Sequence, residues 1–219
     1  MEYFLNTDAG ILVNNIILEI QRNKEYLSEV DGAIGDGDHG INMNKGFTIC
    51  AERLQGRDAN MSHALGVLSD ILMTEIGGSM GPLYGTFFEG LAAASEKEER
   101  IDKIVFGNMI QQAYDNLCDL SDAKVGDKTL MDVLIPAKMD YKNALLAGKI
   151  FEECVDAMMR AAEVGMESTR DLVAKVGRSS RLGERSRGVL DAGAVSCNII
   201  LQSAGKTITS LLKGKADSI

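Results

Sequence analysis

Residues 11–22 read Ile-Leu-Val-Asn-Asn-Ile-Ile-Leu-Glu-Ile-Gln-Arg. Ile11, Asn15, Leu18 and Arg22 fall on one line of a 3.6-residue turn, and Leu12, Ile16, Glu19 and Ile20 on the next, which predicts an α-helix. Asn6-Thr7-Asp8 just ahead offers an N-cap. The same period recurs along the chain. It predicts helices over about 41–54, from Ser62 through Leu65, Leu68, Leu72 and Ile76, and from Gly81-Pro82 onward, with Pro in a first turn where its missing N–H does no harm. Further helices are predicted over 101–120, 129–146, 149–173 and 193–212. The β-branched residues between Val125 and Val133 are interrupted by Gly126-Asp127-Lys128, so no strand is expected there or elsewhere. Eight helices and no strand define an all-α class. No Pro/Ser-rich linker, charge block or internal repeat divides the 219 residues, so a single domain over 1–219 is expected.

Composition agrees. The chain has 45% hydrophobic and 25% charged residues, the balance of a soluble globular protein. Two prolines, no tryptophan and 5% aromatics argue against a β-sandwich or barrel. The net charge of −9 argues against nucleic acid or an anionic membrane as the main partner. With two histidines a multi-histidine zinc centre is excluded. Four scattered cysteines without a C-x-x-C pair read as reduced thiols, and the N-terminus carries neither a signal-peptide nor a transit-peptide pattern, so a cytoplasmic location is expected.

Glycine is concentrated in three stretches between the predicted helices. The first, Asp31-Gly-Ala-Ile-Gly-Asp36-Gly-Asp38-His39-Gly40, places three carboxylates within eight residues on a chain that can turn tightly. Such carboxylates repel one another unless a cation is present, and hard oxygen ligands suit Mg²⁺ or Ca²⁺. An EF-hand is excluded, because counting from Asp36 puts Phe47 where a bidentate Glu is required. The helix predicted from Ile41 puts His39 to Asn42 at a helix N-terminus, where free N–H groups favour phosphate. The second stretch is Gly77-Gly78-Ser79-Met80-Gly81-Pro82. The third, from Gly177 to Gly188, carries Arg178, Arg181, Arg185 and Arg187, any of which could face phosphate oxygens or pair with the surplus acids. Asp191 can cap the last helix. Walker-type loops are absent: Gly205-Lys206-Thr207 has Ile200 where the first Gly belongs, and Asp127 separates Gly126 from Lys128.

In order, five blocks resemble the L-subunit family of dihydroxyacetone kinases, the Dak-L domain. They are Ile34-Gly-Asp-Gly-Asp-His-Gly-Ile-Asn-Met-Asn-Lys-Gly-Phe47; Gly77-Gly78 with Gly81-Pro-Leu-Tyr-Gly-Thr-Phe-Phe88; Gly126-Asp-Lys-Thr129 with Asp132-Val133 and Pro136; Gly177-Arg178 with Leu182-Gly-Glu-Arg-Ser186; and Asp191-Ala-Gly-Ala194. The resemblance implies an eight-helix antiparallel barrel with the nucleotide site at one end. It implies that Asp31, Asp36 and Asp38 hold two Mg²⁺ ions, and that His39, Gly40, Ile41 and Asn42 line an ADP or ATP. Gly78, Ser79 and Met80 would contact phosphate, Ser121 and Leu130 would cover the base, and Arg178 with Asp191, Ala192 and Gly193 would close the site. Arg178 would also stabilise charge in the reaction. Ser79-Met80 departs from the Ala-Ser pair familiar in bacterial members, Ser121 stands for a common Gly, and Leu130 for a common Met.

The family implies half an enzyme: a nucleotide-binding subunit that acts on dihydroxyacetone held by a partner K subunit. ADP would serve as bound coenzyme recharged by a phosphotransferase-system phosphodonor. A homodimer is compatible with this reading, and neither nucleic acid nor membrane is an expected partner. Two alternatives stand beside it: an ATP-dependent kinase of another short ketose such as erythrulose, and a nucleotide-bound regulator or adaptor without kinase activity.

Overall fold

The computed structural model describes residues 2–56 and 59–216. Nine α-helices account for most of them: α1 (Gly10–Arg22), α2 (Lys24–Ile34), α3 (His39–Leu54), α4 (Met61–Glu75), α5 (Met80–Ser95), α6 (Lys103–Leu120), α7 (Met131–Leu146), α8 (Phe151–Ser168) and α9 (Ala192–Ala216). Successive helices from α3 to α9 pack against one another, α9 packs against α1, and α1 packs against both α3 and α4. Helix α2 lies outside this sequence of neighbours and rests on α3 and α9. The apolar stripes meet in one core, to which Ile16, Leu65, Phe88, Ile110, Tyr141, Phe151 and Ile200 belong. Among the described residues, no helix is long and apolar enough to cross a membrane.

Three sequence expectations need correction. Helix α2 was not expected, because only Leu27 and Ile34 of its residues are buried and its apolar stripe is too thin to show a period. Two short strands do exist: β1 (Tyr3–Leu5) and β2 (Arg100–Asp102) pair antiparallel, with Phe4 opposite Ile101. A pair of three-residue strands has no room to display alternation, and β2 displaces the predicted start of α6 to Lys103. Asn6 does not cap α1. It is buried in a turn of 3-10 helix, where its side chain donates to the carbonyls of Ser95 (2.9 Å) and Glu98 (2.9 Å) and accepts from the Ser62 N–H (3.1 Å). Asn6 thereby ties the chain start to α4 and to the end of α5.

The two ends of the molecule cap their helices differently. Asn60 caps α4 by accepting from His63 N (2.8 Å), and Asp102 caps α6 by accepting from Ile104 N and Val105 N (2.8 and 2.9 Å). Helices α3, α5 and α7 run the other way and start at the opposite end. None of their N-cap residues, Asp38, Ser79 and Leu130, makes a side-chain cap.

Candidate functional site

The uncapped helix starts converge on a cleft of about 740 Å³, within the size range of small-molecule pockets. One wall is acidic. Asp31 sits in the last turn of α2, and the chain turns sharply through residues 35–38 into α3. Gly37 is at φ +76°, a conformation that other residues avoid. Gly40 lets α3 lie directly against α2, since a Cβ there would collide with the Lys24 carbonyl and the Ser28 backbone. This close contact sets Asp38 beside Asp31. One carboxylate oxygen from each of Asp31, Asp36 and Asp38 lies within 4.8 Å of the others, and Asp36 is exposed. Little inside the protein uses these charges. The His39 N–H reaches Asp31 at a long 3.3 Å, and Arg178 forms an ion pair with Asp36. Three anions so close, with one guanidinium among them, form a set of hard oxygen ligands that could hold a divalent cation.

The neighbouring walls are built from helix starts. His39 and Asn42 face the cleft from the first turns of α3, Gly78, Ser79 and Met80 from the entry to α5, and Ala192 and Gly193 from the start of α9. Ser121 and Leu130 close the far side. The positive end of each of these helices is thus presented to one space, which favours an anion. Two of the residues expected at the site lie off the cleft: Gly40 is buried in the α2–α3 contact, and Ile41 is 55% exposed on the outer surface.

Two groups in the wall have shifted protonation. Removal from water pushes the His39 imidazole down to about 4, against the pull of the Asp31 carboxylate, so it is neutral at pH 7. Its Nε2 lies 2.8 Å from Ser196 Oγ, which is 2.6 Å from the Tyr84 hydroxyl; Tyr84 in turn donates to the Gly193 carbonyl (3.0 Å). This chain fixes the ring and joins α3, α5 and α9. Asp191 caps α9 through its Oδ2, which accepts from Ala194 N (2.8 Å). Burial pushes its carboxyl up to about 7, although the Ala194 N–H and the Lys128 ammonium favour the ionised form.

Tyr84, Ser196 and Lys128 were not singled out from the sequence. Tyr84 and Ser196 are polar positions on otherwise apolar helix faces, and nothing local marks them as partners. Lys128 had a visible sign, the Gly126-Asp-Lys-Thr129 turn, but failure to fit a Walker loop left it without a role. The four arginines of the third glycine-rich stretch also separate. Arg178 reaches the cleft, while Arg187 pairs with Glu184 (3.1 Å) and donates to the Asp171 carbonyl.

A family model described as the DAK2 domain matches residues 33–206. Escherichia coli K12 has a similar protein, a PEP-dependent dihydroxyacetone kinase ADP-binding subunit DhaL, 34% identical over 81% of this chain and 85% of its own length. A PEP-dependent dihydroxyacetone kinase 1 ADP-binding subunit DhaL of Listeria innocua is 33% identical over 90% of this chain and 94% of its own. Among solved structures, the dihydroxyacetone kinase from C. freundii in complex with AMP-PNP and Mg²⁺ superposes with a TM-score of 0.66 at 20% identity. The match covers 90% of this chain and 33% of that larger one.

Proposed function

This chain belongs to the DAK2-domain family, and on that premise we propose that it is the ADP-binding subunit of a PEP-dependent dihydroxyacetone kinase. The names of its full-length relatives support the subunit role. The observation that carries the chemistry is the cleft itself, where three carboxylates face the open N-termini of α3 and α5 and the start of α9.

In this reading Asp31, Asp36 and Asp38 hold two Mg²⁺ ions. Bound there, the ions supply charge neutralisation at the nucleotide phosphates. The N–H groups at Gly78, Ser79 and Met80, and those of the first turns of α3 and α9, would donate to the phosphate oxygens that remain. His39, kept neutral by burial and oriented by Ser196 and Tyr84, would donate or accept at its free nitrogen without adding charge. Ser121 and Leu130 cover the base, and Gly40 and Ile41 contribute through the α3 backbone rather than by side-chain contact. Arg178, paired with Asp36 in the cleft, would stabilise charge on the phosphate being transferred. The relatives are named as ADP-binding subunits, which supports a separate K subunit that holds the ketose and a phosphotransferase-system protein that recharges the ADP. The succession of helix neighbours that returns from α9 to α1 supports an eight-helix barrel, with α2 added outside. The chain works as one domain over 1–219, in the cytoplasm.

Asp36→Ala tests the site. Retention of ADP with Mg²⁺ should fall on the order of 100-fold, at the upper end of what losing even an outer-shell metal partner costs, while the helical circular dichroism stays unchanged. Full Mg-dependent retention in that variant would overturn the metal assignment. Mixing the chain with its K subunit, a phosphodonor and dihydroxyacetone should yield sugar phosphate, and failure to do so would overturn the kinase reading.

A further inference from the structure

The segment 172–189 brings Arg178 to the cleft, and its regular structure is limited to 3-10 turns over Arg178–Ser186. Its shape depends on where it is tied. Both ends meet at Lys128. The Lys128 Nζ donates to the carbonyl of Val189 (2.6 Å) at one end of the segment and to that of Leu172 (3.3 Å) at the other, and to the Thr169 carbonyl (2.6 Å) beneath them. Lys128 is 1% exposed and holds φ at +64°, an uncommon conformation for a side-chain-bearing residue. An ammonium has three N–H groups and no acceptor, so all three donors are used by backbone carbonyls. Although Lys128 borders the cleft, no donor is left for a phosphate. The adjacent residue reinforces the tie: Asp127 accepts from the Lys175 backbone N–H through its carbonyl (3.1 Å) and pairs with Lys175 Nζ through its carboxylate (3.2 Å).

We propose that Lys128 is a positioning residue: its ammonium closes the neck of the segment 172–189 and thereby holds Arg178 over the acidic wall. It does not bind nucleotide. The consequence for nucleotide affinity rests on the site proposed above; closure of the neck does not.

Lys128→Gly accepts the positive φ without strain and removes only the ammonium arm, whereas Lys128→Met keeps the bulk. In both variants trypsin should cut within 178–187, where Arg181 and Arg185 are exposed, about tenfold faster than in the wild type, since orphaning even one buried acceptor costs that much. The Kd for Mg-ADP should rise by about the same factor. Added n-butylammonium should restore both values in Lys128→Gly, which a general loss of packing would not allow. Unchanged cleavage in the variants would overturn the proposal, as would a raised Kd with unchanged cleavage, the signature of a phosphate ligand. If the wild type binds no Mg-ADP, the site reading fails, while cleavage and amine rescue still decide the latch. Should neither variant fold, ¹⁵N NMR of the wild type decides it. The Lys128 ammonium should couple through hydrogen bonds to the carbonyl carbons of residues 169, 172 and 189 and keep those couplings when Mg-ADP is added. Their absence, or their loss on addition, would overturn it.

Discussion

At one end of the molecule, Asn60 and Asp102 cap α4 and α6, and the buried Asn6 amide bonds two carbonyls and an N–H. At the other end, the N-cap residues of α3, α5 and α7 make no side-chain caps, and three carboxylates crowd one corner with a single arginine among them. The same helices supply both ends, so intrinsic propensity cannot account for the difference. A fold that leaves donors and anions unsatisfied in one place gives up stability there, and a ligand carrying the complementary charges recovers it. Lys128 is the exception that sharpens this contrast: it is a charge at the open end that is entirely consumed by the fold.

The contrast can be broken from either end. Asn6→Ala should have the largest effect, about 3 kcal/mol in urea unfolding, because several buried partners lose their bonds at once. Its Mg-ADP affinity, measured on the folded protein, should not change. A weakened affinity would show that the two ends are coupled. Asp36→Ala is the counterpart, losing ligand with stability within about 0.5 kcal/mol of wild type.

Asp191 gives an intermediate effect with a definite sign. Its carboxyl is raised to about 7 by burial, against about 3.9 in an unfolded chain. The native state therefore holds this proton more tightly. The contribution of Asp191 is full below about pH 4 and is lost as pH rises to about 7. Asp191→Asn keeps an acceptor for the Ala194 N–H and has no charge to bury. Relative to the wild type in EDTA, it should gain about 2 kcal/mol at pH 8, roughly half the value of the full shift because the side chain is partly solvated. At pH 4 it should gain nothing. A difference that does not vary with pH would show that Asp191 is not the titrating group. The smallest effect tests the caps themselves. Asn60→Ala should cost about 1 kcal/mol, whereas Ser79→Ala, at a helix start with no side-chain cap to lose, should leave stability unchanged in thermal melts.

Much of this was legible in the sequence wherever the signal was local. The helical phase of residues 11–22 and 65–76 is written in their own spacing, and the structure has helices there. The acidic corner was legible because Asp31, Asp36 and Asp38 lie within eight residues and their glycines allow the turn. Helix α2 was not legible, since a helix resting on the outside of its neighbours needs few apolar residues. Asn6 reads as a cap because an Asn near a helix start looks the same whether its amide reaches forward along the chain or across to residues 62, 95 and 98.

By itself, then, the sequence determined the all-α class, the position of the acidic turn and the glycine-rich entries to α3 and α5, because periodicity and short spacing act within a few residues of chain. Only the tertiary structure decided which charges are spent inside and which remain open. Lys128 and Asp36 are both charged residues in glycine-containing turns beside the same cleft. One is consumed because carbonyls of residues 169, 172 and 189 arrive around it, and the other stays available because, among the described residues, Arg178 alone pairs with it. Backbone carbonyls carry no residue identity, so their arrival leaves no trace in the sequence.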